Sequence, residues 1–160
     1  KLADGIAPIQ KMRDAGIVVG LGTDGAASNN VLEMPGEMRT AALLAKARAE
    51  DAAALPAHAA LRMATLDGAR TLGLDDCTGS IETGKWADLT CIDMMHLNSQ
   101  PVYDPVSQVV YTVQPHQVSD VWVGGRHQVE NGVLTQIDQD DILRRTAEWQ
   151  QRIAGQQENA

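Results

Sequence analysis

One carboxylate of this chain, Asp24, stands where a chemical group is expected. It follows the apolar segment Ile17-Val18-Val19-Gly20-Leu21 and the pair Gly22-Thr23, and it opens a loop of small and polar residues. A run that is apolar at every position is typical of a strand buried on both faces of a parallel sheet. Functional groups of parallel barrels lie where such strands end. We therefore predict a strand over 17–23 and a chemical role for Asp24, with a simple Asp-Gly turn as the alternative.

The other groups that could bind a metal or transfer protons show no ligand spacing. Glu33 and Glu37 could form a carboxylate pair, but four-residue spacing near a helix start favours an interaction with the helix dipole. We predict His58 in an Ala-rich helix, His96 and His116 in irregular segments and His127 in a hairpin, so we expect structural or solvent-exposed roles for all four.

Composition narrows the class of protein. The 160 residues are 44% hydrophobic, which supports a real core, and their net charge is −8. Such a chain has no basic stripe to neutralise phosphates, so we expect no nucleic-acid partner. It shows no signal peptide and no apolar run approaching about 18 residues. We therefore expect a cytoplasmic protein that does not enter a membrane.

The first half of the sequence alternates helix and strand in the manner of a βα barrel. A helix that ends at Gly16 precedes the predicted strand, which makes the second half of a βαβ unit. Its first strand is absent, so the chain looks like the C-terminal portion of a larger protein. A helix is predicted over 37–49, with Met38, Ala41, Ala42 and Ala45 on one apolar face. Further helices are predicted from Pro56 onward and over 66–72, with Thr65 as the cap of the last.

The pattern changes at about residue 79. Short strands are predicted over 81–85, where a turn follows, and over 87–93, 118–123, 126–130 and 133–134. Gly124-Gly125 is a favourable hairpin turn between two of them. The stretch that contains Pro101, Pro105 and Pro115 is predicted to be irregular. An amphipathic helix over 138–155, ended by Gly155, closes the pattern.

Four motifs together resemble the amidohydrolase superfamily, in particular its methylthioadenosine/adenosylhomocysteine deaminases and chlorohydrolase-like deaminases. In order, they are GLGTDGAASNN, ALRMATLDGARTLGL, TGSIETGKWADLTCIDM and VSDVWVGGRHQVENGVL. The resemblance implies an α/β fold: the C-terminal part of a distorted (β/α)8, TIM-type barrel beside a small β-sandwich. Residues 1–78 would end the barrel, with 17–23 as its eighth strand. Residues 79–136 would form part of the composite sandwich, and 137–160 a C-terminal helix and tail.

The same resemblance implies a metal-dependent hydrolase that deaminates an adenine-type nucleoside. Asp24 matches the aspartate that ligates or adjoins the metal and accepts a proton from its bound water. The loop after it implies Ser28, Asn29 and Asn30 as candidate substrate contacts, with plain loop polarity as the alternative. The implied cofactor is zinc, with iron or another divalent metal as alternatives. The implied partner is a purine nucleoside or related heterocycle, and a homo-oligomer is expected.

Two further hypotheses stay open at this point. The same fold could act as a chlorohydrolase or as a guanine or cytosine deaminase, or the chain could be a non-catalytic fragment with a packing or binding role. The histidines and the glutamate of the full family pattern are absent from the sequence. We expect the isolated 160 residues to be inactive and to bind metal weakly or not at all, since one strand cannot close a barrel.

Overall fold

A computed structural model describes residues 5–157 of the chain, and side chains up to residue 155. The extreme ends of the predicted ranges 1–78 and 137–160 lie outside the described residues. Helices come first, then a sheet interrupted by one helix, then a final helix. The elements are α1 (Ile9–Asp14), α2 (Met34–Ala49), α3 (Ala57–Ala64), α4 (Leu66–Thr71), β1 (Leu89–Ile92), α5 (Pro105–Tyr111), β2 (Val118–Val123), β3 (Arg126–Glu130), β4 (Val133–Leu134) and α6 (Gln139–Gln157), with 3-10 turns at Leu97–Ser99 and Pro115–Gln117.

The core lies between α2, α3 and α5. Helix α2 buries Met38, Ala42 and Ala45, which confirms the predicted apolar face. Small alanines let the helices approach closely, and dense packing of this kind is how interiors exclude voids. The buried members that meet this face are Leu55, Ala57, Ala60, Met63 and Val110.

Helix α5 is the main element that the sequence prediction missed, so the prediction of an irregular stretch is wrong there. Asp104 caps this helix: one carboxylate oxygen accepts from the Val106 N–H at 3.1 Å and the other from the Ser107 hydroxyl at 2.6 Å. Pro105 occupies the first turn, where its missing N–H costs nothing. The Ser107 hydroxyl holds the pKa of the Asp104 carboxyl below its ordinary value.

The strands form one antiparallel sheet in the order β1-β2-β3-β4. The predicted hairpin turn is confirmed: Gly124 and Gly125 have φ of 54° and 77°, as a type I′ turn requires. It brings Trp122 of β2 opposite His127 of β3. The predicted strand over 81–85 is wrong, because only its turn forms, with the Lys85 N–H on the Glu82 carbonyl.

Gln117 joins the end of β1 to the turns around α5. Its side chain is 2% exposed. The amide Nε2 donates to the Asp93 carbonyl and to the Ser99 hydroxyl, both at 2.9 Å. Its Oε1 accepts from the Gln114 N–H at 2.9 Å. Because buried polar groups are costly unless paired, this network fixes where the sheet meets the 3-10 turns.

The strand predicted over 17–23 stays a prediction, because within residues 5–157 no strand pairs with this segment and it has no regular secondary structure. Ile17 is 51% exposed and Val18 is 48% exposed. A strand needs a hydrogen-bonded neighbour, and among the described residues β1 to β4 pair only with one another.

The prediction that Thr65 is the N-cap residue of α4 is confirmed. Its side chain makes no cap bond, because its hydroxyl donates back to the Leu61 carbonyl at 2.8 Å. Gly155 does not end α6, which continues to Gln157. The prediction that α1 ends at Gly16 is confirmed: Gly16 has φ of 76°, and its N–H donates to the Arg13 carbonyl. None of the helices described here is both long and apolar enough to cross a membrane.

Candidate active site

The segment that leads to Asp24 lies against α3 and α4. The Leu21 N–H donates to the Met63 carbonyl at 3.0 Å. A Cβ on Gly20 would come within 2.7 Å of the Thr71 hydroxyl oxygen and 3.0 Å of the Gly68 Cα. Glycine therefore permits a backbone approach that no other residue allows, and this approach positions the loop that follows.

Asp24 itself has a left-handed backbone conformation, with φ of 59°. Its Oδ1 accepts from the N–H of Gly25 at 2.6 Å, and its carbonyl accepts from the Thr23 hydroxyl at 3.1 Å. Asp tolerates this conformation better than most residues, and such positions are frequent at functional sites. The side chain is exposed. A turn follows over residues 26–28, after Asp24 and Gly25, and the carboxylate stays accessible.

The loop after Asp24 is organised around Asn29. The N–H groups of Ser28 and Asn29 both donate to the Gly25 carbonyl, at 3.0 and 2.9 Å. The Asn29 Oδ1 accepts from the N–H of Val31 at 3.2 Å and of Leu32 at 3.4 Å. Of the three predicted substrate contacts, Ser28 and Asn29 are half-buried and Asn30 is exposed. The structure therefore brings these three residues together on the loop that Asp24 opens.

Glu37 also lies near this site, although its sequence position predicted only an interaction with the helix dipole. It lies in the first turn of α2, as expected, and its Oε1 also accepts from the Asn29 Nδ2 at 2.5 Å. An eight-residue separation matches no helix or turn spacing, so the sequence carried no signal for this contact. Glu33 precedes α2 without capping it, and its Oε2 is buried with no hydrogen-bond partner among the described residues. The two glutamates do not act as a pair.

The histidines that the structure pairs with other groups serve local structure. His127 lies 2.9 Å from Asp120 and stacks on Trp122, with ring centroids 4.4 Å apart. The Ser119 hydroxyl, with His127 as a lesser cause, holds the pKa of the Asp120 carboxyl below its ordinary value. His96 approaches His116 edge to face at 5.2 Å. These contacts agree with the structural roles predicted for them.

A metal site needs more ligands than this part of the protein supplies. Between residues 5 and 157, no three His, Cys, Asp or Glu side chains come together in a way that could hold an ion. Catalytic zinc generally takes three protein ligands and a water. The exposed carboxylate of Asp24 suits one ligand position and no more, so the described residues do not form a zinc site by themselves.

Comparisons with known proteins identify the family. A sequence profile described as the amidohydrolase family matches residues 1–127. The chain is 48% identical, over 96% of its length, to the 5-methylthioadenosine/S-adenosylhomocysteine deaminase of Teredinibacter turnerae, and it covers 35% of that protein. It therefore spans about a third of the length of such relatives.

Solved structures agree with this assignment. An adenosine deaminase from Xanthomonas campestris with bound zinc matches 97% of this chain at 46% identity and a TM-score of 0.93, and 35% of that structure is covered. An atrazine chlorohydrolase from Arthrobacter aurescens complexed with zinc matches 90% of the chain at 36% identity and a TM-score of 0.82, with 32% of that structure covered. These matches confirm the predicted fold class, and the chain belongs to the amidohydrolase family.

Proposed function

We propose that the full-length protein hydrolytically deaminates an adenine-type nucleoside: methylthioadenosine, adenosylhomocysteine or adenosine. The observation that carries this proposal is the similarity, along nearly the whole chain, to two deaminases whose names specify such substrates. The described geometry is compatible with it, because the chain presents an accessible carboxylate followed by a polar loop. The substrate is thus a small molecule, and no step requires nucleic acid or a membrane.

Asp24 is the proposed proton acceptor. Deamination adds water to a ring carbon and releases ammonia, so a base must take a proton from the attacking water. The Gly25 N–H engages Oδ1 of Asp24, and the exposed carboxylate keeps its other oxygen for that role. A bound divalent metal would lower the pKa of a water ligand and make hydroxide available near neutral pH. Asp24 is also the proposed ligand that this chain offers to the metal, and the proposed metal is zinc.

The loop after Asp24 is the proposed substrate-binding region of this chain. Ser28, Asn29 and Asn30 lie on the loop opened by Asp24, and this position supports the proposal that the loop receives substrate. Further metal ligands are proposed to come from the two thirds of its relatives' length that this chain does not span. We also propose a cytoplasmic homo-oligomer and an inactive isolated chain.

A chlorohydrolase is the second candidate, because the chain resembles an atrazine chlorohydrolase at 36% identity. The full-length, metal-loaded protein separates the two when it is incubated with adenine nucleosides, guanine, cytosine and a chlorinated triazine. Ammonia released from methylthioadenosine, adenosylhomocysteine or adenosine supports the proposal. Chloride released from the triazine, with no ammonia from any nucleoside, supports the second candidate. No turnover of any of these compounds by protein that contains stoichiometric metal would contradict both candidates.

A further inference from the structure

The Asn29 side chain connects the loop over 25–32 to helix α2 of the core. Inside the loop, the recorded backbone hydrogen bonds run from the Ser28 and Asn29 N–H groups to the Gly25 carbonyl. The Asn29 side chain extends this arrangement in both directions, with Oδ1 on the Val31 and Leu32 N–H groups and Nδ2 on Glu37. Both ends of its carboxamide are therefore occupied by protein groups.

The loop needs such an anchor because both of its flanks are strained. Asp24 precedes it with φ of 59°, and Leu32 ends it with φ of 53°. A leucine rarely adopts a left-handed conformation, and it persists there only where its surroundings impose it. The hydrogen bond from the Leu32 N–H to Asn29 is one such constraint, and the proposed proton acceptor lies at the opposite flank.

Glu37 gives the anchor a rigid base. It lies in the first turn of α2, the helix whose Met38 and Ala42 are buried in the core. A carboxylate at this end of a helix also interacts favourably with the helix dipole. Its bond to the Asn29 amide is charge-assisted, and such bonds are shorter and stronger than neutral ones. The loop is thereby fixed to a helix that contributes to the buried core.

We propose that Asn29 and Glu37 are a pair of positioning residues, which hold the loop over 25–32 so that Asp24 is presented in one orientation. This refines the role expected for Asn29, which acts through the loop rather than by contact with substrate. The kinetic effect of this pair rests on the proposed function, whereas the hydrogen bond itself can be tested by a measurement that needs no enzymatic activity. The consequence is a lower kcat with little change in KM when the pair is broken, because orientation of the base matters in the reaction step.

The test swaps the carboxamide of Asn29 and the carboxylate of Glu37 in the full-length protein. Asn29→Asp alone sets two carboxylates against each other while it keeps the acceptor for Val31 and Leu32. The double variant N29D/E37Q restores a donor opposite an acceptor with the order reversed. We expect N29D to lower kcat about tenfold, as expected for the loss of one hydrogen bond to a charged group. We expect N29D/E37Q to recover most of that loss. Glu50→Gln, at the exposed C-terminal end of the same helix, is the matched control and should leave kcat unchanged.

Hydrogen exchange at the Val31 and Leu32 amides provides the second readout. These amides donate to Asn29, whose Nδ2 is held by Glu37, so Glu37→Ala should raise their exchange rates about tenfold, as Asn29→Ala does directly, while the amides of α2 beyond its first turn stay protected. Unchanged exchange at both amides in Glu37→Ala, or a double variant no more active than N29D, would overturn the proposed pair. A wild-type protein without deaminase activity would refute the proposed function alone, since the exchange result still decides whether the pair exists.

Discussion

Gln117 offers a quantitative test of how the sheet is attached to the rest of the fold. We predict that Gln117→Met strongly destabilises the full-length protein although the two side chains have similar length. The methionine fills the buried volume but removes three hydrogen bonds: those to the Asp93 carbonyl, to the Ser99 hydroxyl and from the Gln114 N–H. Ser99 is itself fully buried, so water does not replace the lost partner.

The magnitude follows from these three bonds. A typical intramolecular hydrogen bond contributes about 1 kcal/mol net, and a buried group left without its partner costs about 1–3 kcal/mol. The sum is about 3 kcal/mol, or roughly two orders of magnitude in the ratio of folded to unfolded protein. Ser99 takes part in one of these bonds. The loss of unfolding free energy caused by Ser99→Ala should therefore be smaller in the Gln117→Met background than in the wild type.

Urea unfolding followed by circular dichroism measures the free energy of unfolding for each variant. Gln136→Met makes the same chemical change at an exposed position and should stay within about 0.5 kcal/mol of the wild type. The reasoning is refuted if Gln117→Met costs no more than Gln136→Met, or if its effect and that of Ser99→Ala are fully additive.

Two other predictions concern helix α5 and the segment before Asp24. The pKa of Asp104 is lowered chiefly by the Ser107 hydroxyl, so the stability contributed by this carboxylate is present above its ordinary pKa and is lost as pH falls through the lowered value. Asp104→Ala should therefore lower Tm at pH 7, and a Tm difference that persists unchanged in strong acid would contradict the assignment. Gly20→Ala should cost about 1–3 kcal/mol by forcing a methyl group against Thr71, whereas Gly22→Ala meets no atom within 4 Å. Equal melting temperatures for these two variants would contradict the close packing at Gly20.

Local signals in the sequence were sufficient for most of the elements. The hairpin over 118–130 was predicted with its observed limits, because alternation and a Gly-Gly turn specify it within 13 residues. The buried face of α2 followed from helical periodicity. Such features depend on neighbouring residues alone, so no knowledge of the tertiary fold was needed.

Features that depend on distant partners were predicted less well. The segment over 17–23 has a strand-like sequence, but its hydrogen bonds require a neighbouring strand that the described residues do not contain. Helix α5 was missed because Pro105 was interpreted as part of an irregular stretch. Asp104 followed by Pro105 is in fact a favourable helix start, and this signal was available.

The candidate site was predicted only in part. Asp24 and the polar loop were found from the pattern of a strand followed by a carboxylate. The link between Asn29 and Glu37 was not, because it joins a loop to the next helix across eight positions without a repeating pattern. Side-chain pairs of this kind depend on the path of the loop, which the left-handed Asp24 and Leu32 determine.

Replacement of Asp24 tests the central claim most directly. Asp24→Asn keeps the acceptor for the Gly25 N–H but removes the negative charge and the basic oxygen. Asp51→Asn is a matched control, since Asp51 is also exposed and accepts a nearby backbone N–H, from Ala53 at 2.8 Å. In the full-length, zinc-loaded protein we expect Asp24→Asn to lower kcat/KM for the best adenine nucleoside about 10²–10⁴-fold, and Asp51→Asn to leave it unchanged. Retention of wild-type kcat/KM by Asp24→Asn would contradict the role assigned to this carboxylate.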